Sequence, residues 1–147
     1  MKLWIVILIY AILVIFTIEA DAKDLSYEQV KIIRNVAVKY NINYKQLIRI
    51  AYVESKFNAK AIRHNKNYTM DYGLFQINSI HWSTTCKQHN VFTFEGNTEC
   101  AAIILSMHKQ HKASDSNWIG RYHSKTYKRK VLYTKLLNRV PAWVASK

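Results

Sequence analysis

The chain has 147 residues, the length of one domain, and half of them are hydrophobic, which excludes global disorder. Only 3 Gly and 1 Pro occur, too few for a turn-dense sandwich or barrel, so helices joined by short polar loops are expected. The formal net charge of +13, from 22 Lys and Arg against 9 Asp and Glu, points to an anionic partner such as nucleic acid, a membrane face or a charged polymer.

The N-terminus argues against nucleic acid, because residues 1–22 read as an export signal. Lys2 supplies a short positive region, Trp4 to Ile18 is uncharged and almost wholly apolar, and Ala20-Asp21-Ala22 fits a small-x-small cleavage site. The apolar run falls short of the roughly 20 residues that a membrane span needs. An uncleaved inner-membrane anchor is therefore the less favoured reading. The expected organisation is a signal over 1–22 and a single exported domain over 23–147. That domain keeps all but one of the basic residues and all but two of the acidic ones, so each acid can be weighed singly.

Ser26-Tyr27-Glu28-Gln29 reads as a capping box, and Val30, Ile33, Val36, Ala37 and Tyr40 follow at helical spacing. Asn43 is placed to cap a second helix carrying Leu47, Ile48, Ala51 and Val53. From Asn58 to Asp71 the chain is polar and lacks a helical period, so an irregular stretch with short strand pairing is expected. Tyr72 to Asn78 is apolar and compact, and Ile80 to Thr85 reads as a short helix. Asn97 reads as the cap of a helix with Cys100, Ala101, Ile104, Met107 and His111. Trp118-Ile119-Gly120 marks a buried turn. A last basic helix is expected from Tyr127 to Val140, with Leu132, Leu136 and Val140 on one face and Pro141 as its stop. The fold class is mostly α, with a small irregular or hairpin region between helices.

Cys86 and Cys100 are the only cysteines. An even count in an exported chain predicts a disulfide, and two buried free thiols are the alternative. His108 and His111 share a helical spacing, but no third ligand accompanies them, so neither a metal nor a cofactor is expected.

Glu54 lies seven residues after Leu47 and three after Ala51, on the apolar face of the second helix. Burial raises a carboxyl pKa, and an acid still protonated near neutrality suits general-acid catalysis. A helix-end Glu turned to solvent is the competing reading. Asp71 is the second candidate, since a folded-back loop would bring it opposite Glu54, and paired carboxylates are the equipment of glycosidases. A turn-forming Asp is the competing reading there.

Glu54-Ser55-Lys56-Phe57-Asn58, followed by Asp71-Tyr72-Gly73-Leu74-Phe75-Gln76-Ile77-Asn78-Ser79, resembles the catalytic core of the lysozyme-like superfamily. Both chicken-type lysozymes and the small bacterial lytic transglycosylases of secretion, conjugation and pilus systems share this pair of blocks. The low cysteine count and Trp118 to Ser124 resemble the bacterial group more closely, although Tyr122-His123-Ser124-Lys125 departs from the Y-N-A-G of many relatives. The resemblance implies a lysozyme-like fold over residues 25–140 and cleavage of peptidoglycan between N-acetylmuramic acid and N-acetylglucosamine. By resemblance, Glu54 is the catalytic acid and then base, with a 1,6-anhydromuramoyl product. Asp71 is a second carboxylate. Ser55, Tyr72, Gln76, Asn78 and Tyr122 serve the substrate or the acid. The implied setting is the periplasm, with glycan strands and a secretion or conjugation apparatus as partners. No nucleic acid is expected, and peripheral membrane attraction is allowed by the charge. A hydrolytic muramidase using Glu54 and Asp71, and a non-catalytic wall-binding assembly factor, are the alternative functions.

Overall fold

The computed structural model describes residues 24–112 and 115–146, so the expected signal over 1–22 lies outside the described residues. Helix α1 (Tyr27–Lys39) starts on the predicted capping box. Ser26 Oγ accepts from the Gln29 N–H at 3.2 Å, and Gln29 Oε1 accepts from the Ser26 N–H at 2.9 Å, which satisfies two donors a helix start leaves open. The helix buries Val30, Ile33, Val36 and Ala37. Helix α2 (Tyr44–Ser55) is capped by Asn43, whose Oδ1 accepts from the Lys45 N–H, and it buries Leu47, Ile48, Ile50 and Ala51. Its end is abrupt. Lys56 and Phe57 both take left-handed conformations, with φ of 52° and 64°, and swing the chain away just after Glu54.

The polar stretch that follows forms a three-stranded antiparallel sheet in the order β1 (Ile62–His64), β2 (Met70–Tyr72), β3 (Ile77–Asn78). Arg63 pairs with Asp71, and Asp71 pairs with Asn78, so the three residues form one row across the sheet. The short helix expected from Ile80 to Thr85 is a single 3-10 turn, Ser79–His81, followed by irregular turns.

Helix α3 (Phe94–Lys112) begins earlier than the sequence predicts. Thr93 provides the cap, its Oγ1 accepting from the Gly96 N–H at 3.0 Å. Asn97 lies inside the helix, only 2% exposed, and its side chain serves the neighbouring loops instead. It donates to the Tyr72 and Val91 carbonyls and accepts from the Phe75 N–H. These bonds seat the Tyr72–Phe75 segment on α3.

Helix α4 (Tyr127–Asn138) also departs from the expected face. Lys130, Tyr133 and Leu137 are buried, whereas Leu132 and Leu136 are 56% and 50% exposed; Val140 is buried beyond the helix end. The ammonium of Lys130 pairs with Asp115, which lets a basic residue occupy a core-facing position. A 3-10 turn at Trp118–Tyr122 precedes α4, and another at Ala142–Ser146 follows Pro141.

The core joins Ile33, Leu47, Ile48, Phe75, Leu105 and Val144 from all parts of the chain. Helix α2 runs through its middle, against α1, α4 and the last 3-10 turn. Cys86 and Cys100 are disulfide-bonded, with Cα atoms 5.2 Å apart, and pin the loop after the sheet to α3. Among the described residues, no helix is long and apolar enough to cross a membrane.

Candidate active site

A groove of about 470 Å³ opens where the end of α2, the sheet and the Trp118–Tyr122 turn meet. Glu54, Asp71, Gln76, Asn78 and Tyr122 all line it. The apolar face of α2 carries Glu54 inward because its turn-mates are core residues, and the left-handed pair Lys56–Phe57 then folds the sheet back over it. Glu54 Oε1 accepts a 2.6 Å hydrogen bond from the Tyr133 hydroxyl.

Burial raises the Glu54 pKa above the usual carboxylate value. The Tyr133 hydrogen bond and the Arg63 charge oppose the rise, and the Asp71 charge adds to it. Burial, together with the nearby Glu54, also pushes the Tyr122 and Tyr133 hydroxyls well above their ordinary value. Both phenols therefore stay protonated around neutral pH and act as donors. Tyr122 directs its proton to the Phe75 carbonyl at 2.8 Å, which leaves the direct bond to Glu54 to Tyr133.

Asp71 is only 6% exposed and its carboxylate is fully engaged. Arg63 donates from both Nε and Nη2 to Oδ2, at 3.0 and 2.8 Å, and Asn78 Nδ2 donates to Oδ1 at 2.6 Å. The row across the sheet is what brings these three together. Asp71 is thus a fixed negative charge facing the groove, with its oxygens held by neighbours.

The other predicted residues divide. Asn78 spends its amide protons on Thr69 and Asp71, and its Oδ1 caps the following 3-10 turn through the Ile80 N–H. Its visible task is to hold Asp71. Gln76 sits in the left-handed region, with φ of 49°. Its amide donates to the Ala61 and Gly73 carbonyls, at 3.1 and 3.0 Å, which leaves Oε1 as the acceptor at the groove. Ser55 is not among the groove-lining residues. Its hydroxyl lies 2.8 Å from the Leu74 carbonyl and 3.1 Å from that of Ala51, so it fastens the helix end to the core loop rather than touching Glu54. Tyr72 also lies off the groove lining and packs edge-on against Phe92, with ring centroids 4.9 Å apart.

Three residues at the site were not singled out in the sequence. Arg63 falls in the stretch without a period, and only strand register places it beside Asp71. Tyr133 follows Lys130 by three and precedes Leu137 by four, a helical spacing hidden because one member is a lysine. Arg129 lines the groove one turn earlier on the same helix.

The profile of the family described as "Transglycosylase SLT domain" matches residues 31–128. The chain is also 37% identical to Lysozyme C of Penaeus merguiensis over 75 residues, 49% of this chain and 46% of that protein. It is 49% identical to Lysozyme-like protein 6 of Homo sapiens over 41 residues, 28% of each chain. Lysozyme C of Takifugu rubripes is 41% identical over 51 residues, 34% of each. The chain thus spans from about a quarter to about half of the length of the curated relatives it matches.

Proposed function

From the premise that the chain belongs to the Transglycosylase SLT domain family, we propose that it cleaves the β-1,4 bond between N-acetylmuramic acid and N-acetylglucosamine in peptidoglycan. The observation that carries this reading is Glu54. It is a half-buried carboxyl, held by a phenolic donor at the wall of a groove, with its pKa raised by that desolvation. Such a group holds a proton into the range where a glycosidic oxygen needs one. Glu54 protonates the leaving oxygen and then accepts the proton of the muramoyl 6-hydroxyl. That oxygen closes on C1, so the glycosidic C–O bond breaks as the new C–O bond forms, and a 1,6-anhydro sugar results without water. The nucleophile is already attached to the reacting ring, which removes most of the entropy of bringing it there.

The state of Asp71 supports transglycosylation over attack by a second carboxylate. Its oxygens are committed to Arg63 and Asn78, so its part is electrostatic, offsetting positive charge on the oxocarbenium-like transition state. Hydrolysis is the second reading. It is favoured by the placement of Asp71 on the same groove as Glu54 and by the similarity to Lysozyme C.

We infer export from the apolar, small-residue-terminated segment 1–22, and work beside a secretion or conjugation apparatus from the resemblance to the small bacterial transglycosylases. The net charge of +13 fits a polymer that bears free carboxylates.

Product analysis tests the reading. Purified peptidoglycan digested by the wild type should yield anhydromuramoyl ends in mass spectra. Glu54→Gln should lose at least a hundredfold in rate, within the usual span for a general acid. Asp71→Asn should keep measurable turnover. Reducing muramic ends, with both variants equally dead, would transfer the assignment to the two-carboxylate muramidase.

A further inference from the structure

The phenol that meets Glu54 is itself held by a second ring. The imidazole of His123 lies flat against the Tyr133 ring, with centroids 4.9 Å apart and an interplanar angle of 2°. The backbone imposes this pairing. The Trp118–Tyr122 turn runs so close to α4 that a Cβ on Gly120 would lie 2.2 Å from the Lys130 carbonyl oxygen. His123 and Tyr133 stand three residues further along each segment. His123 closes the turn, its N–H donating to the Gly120 carbonyl at 3.2 Å, so its ring starts from a fixed backbone. Tyr133 is only 5% exposed, whereas His123 is exposed and lines the groove with Glu54 and Arg129. The imidazole thus covers one face of a phenol that otherwise belongs to the core. His123 is also the first position at which this chain departs from Y-N-A-G.

Resting on the cleavage proposed above, we propose that His123 is a positioning residue, which holds the Tyr133 hydroxyl on Glu54 by stacking on the phenol ring. Conjugation with the ring favours a phenolic O–H that lies in the ring plane. Whatever fixes that plane therefore fixes where the proton points. The stack fixes the plane, and it blocks the ring from swinging toward the groove. The 2.6 Å bond to Glu54 Oε1 depends on both. The imidazole acts as a neutral ring. Desolvation lowers its pKa, the Arg63 and Arg129 charges lower it further, and the Asp71 charge opposes them. Around neutral pH it brings no charge to Glu54, and its influence passes through Tyr133.

The test is a double-variant cycle on the intact protein with two readouts. One is the pH profile of kcat on purified peptidoglycan. The other is a carboxyl-carbon NMR titration of Glu54, which needs no substrate. His123→Ala should lower kcat about three- to tenfold, the worth of one ring contact, with KM changed less than about twofold. The alkaline limb and the Glu54 titration should both move upward, the direction expected of Tyr133→Phe. His123→Phe restores a flat ring without a titratable nitrogen and should return both readouts most of the way. In a Tyr133→Phe background, His123→Ala should add nothing, since no hydroxyl is left to position. Full additivity of the two changes, with a rise in KM, would make His123 a substrate contact and overturn the proposal. A loss of kcat with the Glu54 titration unmoved would overturn it too. If the wild type cleaves no peptidoglycan, the glycosidase reading falls, and the positioning role stands or falls by the Glu54 titration.

Discussion

Glu54 and Tyr133 share a short side-chain contact at the groove, a 2.6 Å bond in which a phenol donates to a carboxyl oxygen. This bond favours the ionised acid, while burial favours the neutral one, and burial is the larger of the two influences. The sign of a Tyr133→Phe change follows. Removing the donor destabilises the carboxylate and moves the Glu54 pKa further up. A general acid works only while protonated, so activity falls as pH rises through that pKa, and the alkaline limb of the kcat profile should move to higher pH. The rate at its optimum should drop about ten- to a hundredfold, the worth of a hydrogen bond to a charged group. A profile that falls in height but keeps its alkaline limb in place would reduce Tyr133 to packing. The same burial links Glu54 to stability. Its raised pKa means that its favourable contribution is fully present below the unfolded carboxyl value and is lost as pH rises through the folded one.

At the level of elements, the site depends on how the Tyr72–Phe75 segment is seated on α3. Gly73 has φ of 82°, and a Cβ there would lie 2.4 Å from the Asn97 amide nitrogen, so the loop and the helix meet with no room for a side chain. Asn97 uses this proximity, joining three backbone groups of two loops to one buried amide. Asn97→Ala leaves two carbonyls and an N–H without these partners, each costing about 1–3 kcal/mol if buried and unmet. We expect a loss of roughly 3 kcal/mol in urea unfolding, with Asn97→Asp recovering little because a carboxylate cannot donate to the two carbonyls. Full recovery by the Asp variant would show that only the acceptor matters. The groove should loosen along with stability, because Gln76 and Asp71 flank the same segment.

For the whole molecule, the disulfide is the one covalent tie across the fold. It joins residues separated by 14 positions and lies in the fully buried core between the loop after the sheet and α3. Closing a loop of that size is worth about 3 kcal/mol in the chain-entropy description. Denatured but unreduced protein should show no titratable thiol. A Cys86→Ala, Cys100→Ala double variant should unfold at lower denaturant by about that free energy. Two free thiols in the native protein would contradict the pairing. The charge acts at the same scale. With a net charge of +13 on a chain of 147 residues, attraction to an anionic polymer is long-ranged and weakens as salt shortens the screening length.

The sequence by itself determined the first two helices with their caps, the presence of Glu54 on an apolar face, and the two motif blocks that place the chain in its family. These are local facts: a cap bonds residues three apart, and a helical face repeats every 3.6 residues. Tertiary structure alone decided the rest of the site. Arg63 and Asn78 reach Asp71 through strand register, which depends on pairing rather than on spacing along the chain. Asn97 reads as a cap and serves as a buried link, because a loop 25 residues earlier supplies one of its partners. The buried face of α4 runs through Lys130 and Tyr133 instead of Leu132 and Leu136, since Asp115 neutralises the lysine and Glu54 engages the phenol. A side chain's burial is set by what the fold brings to meet it, and for a polar residue that partner is distant in sequence.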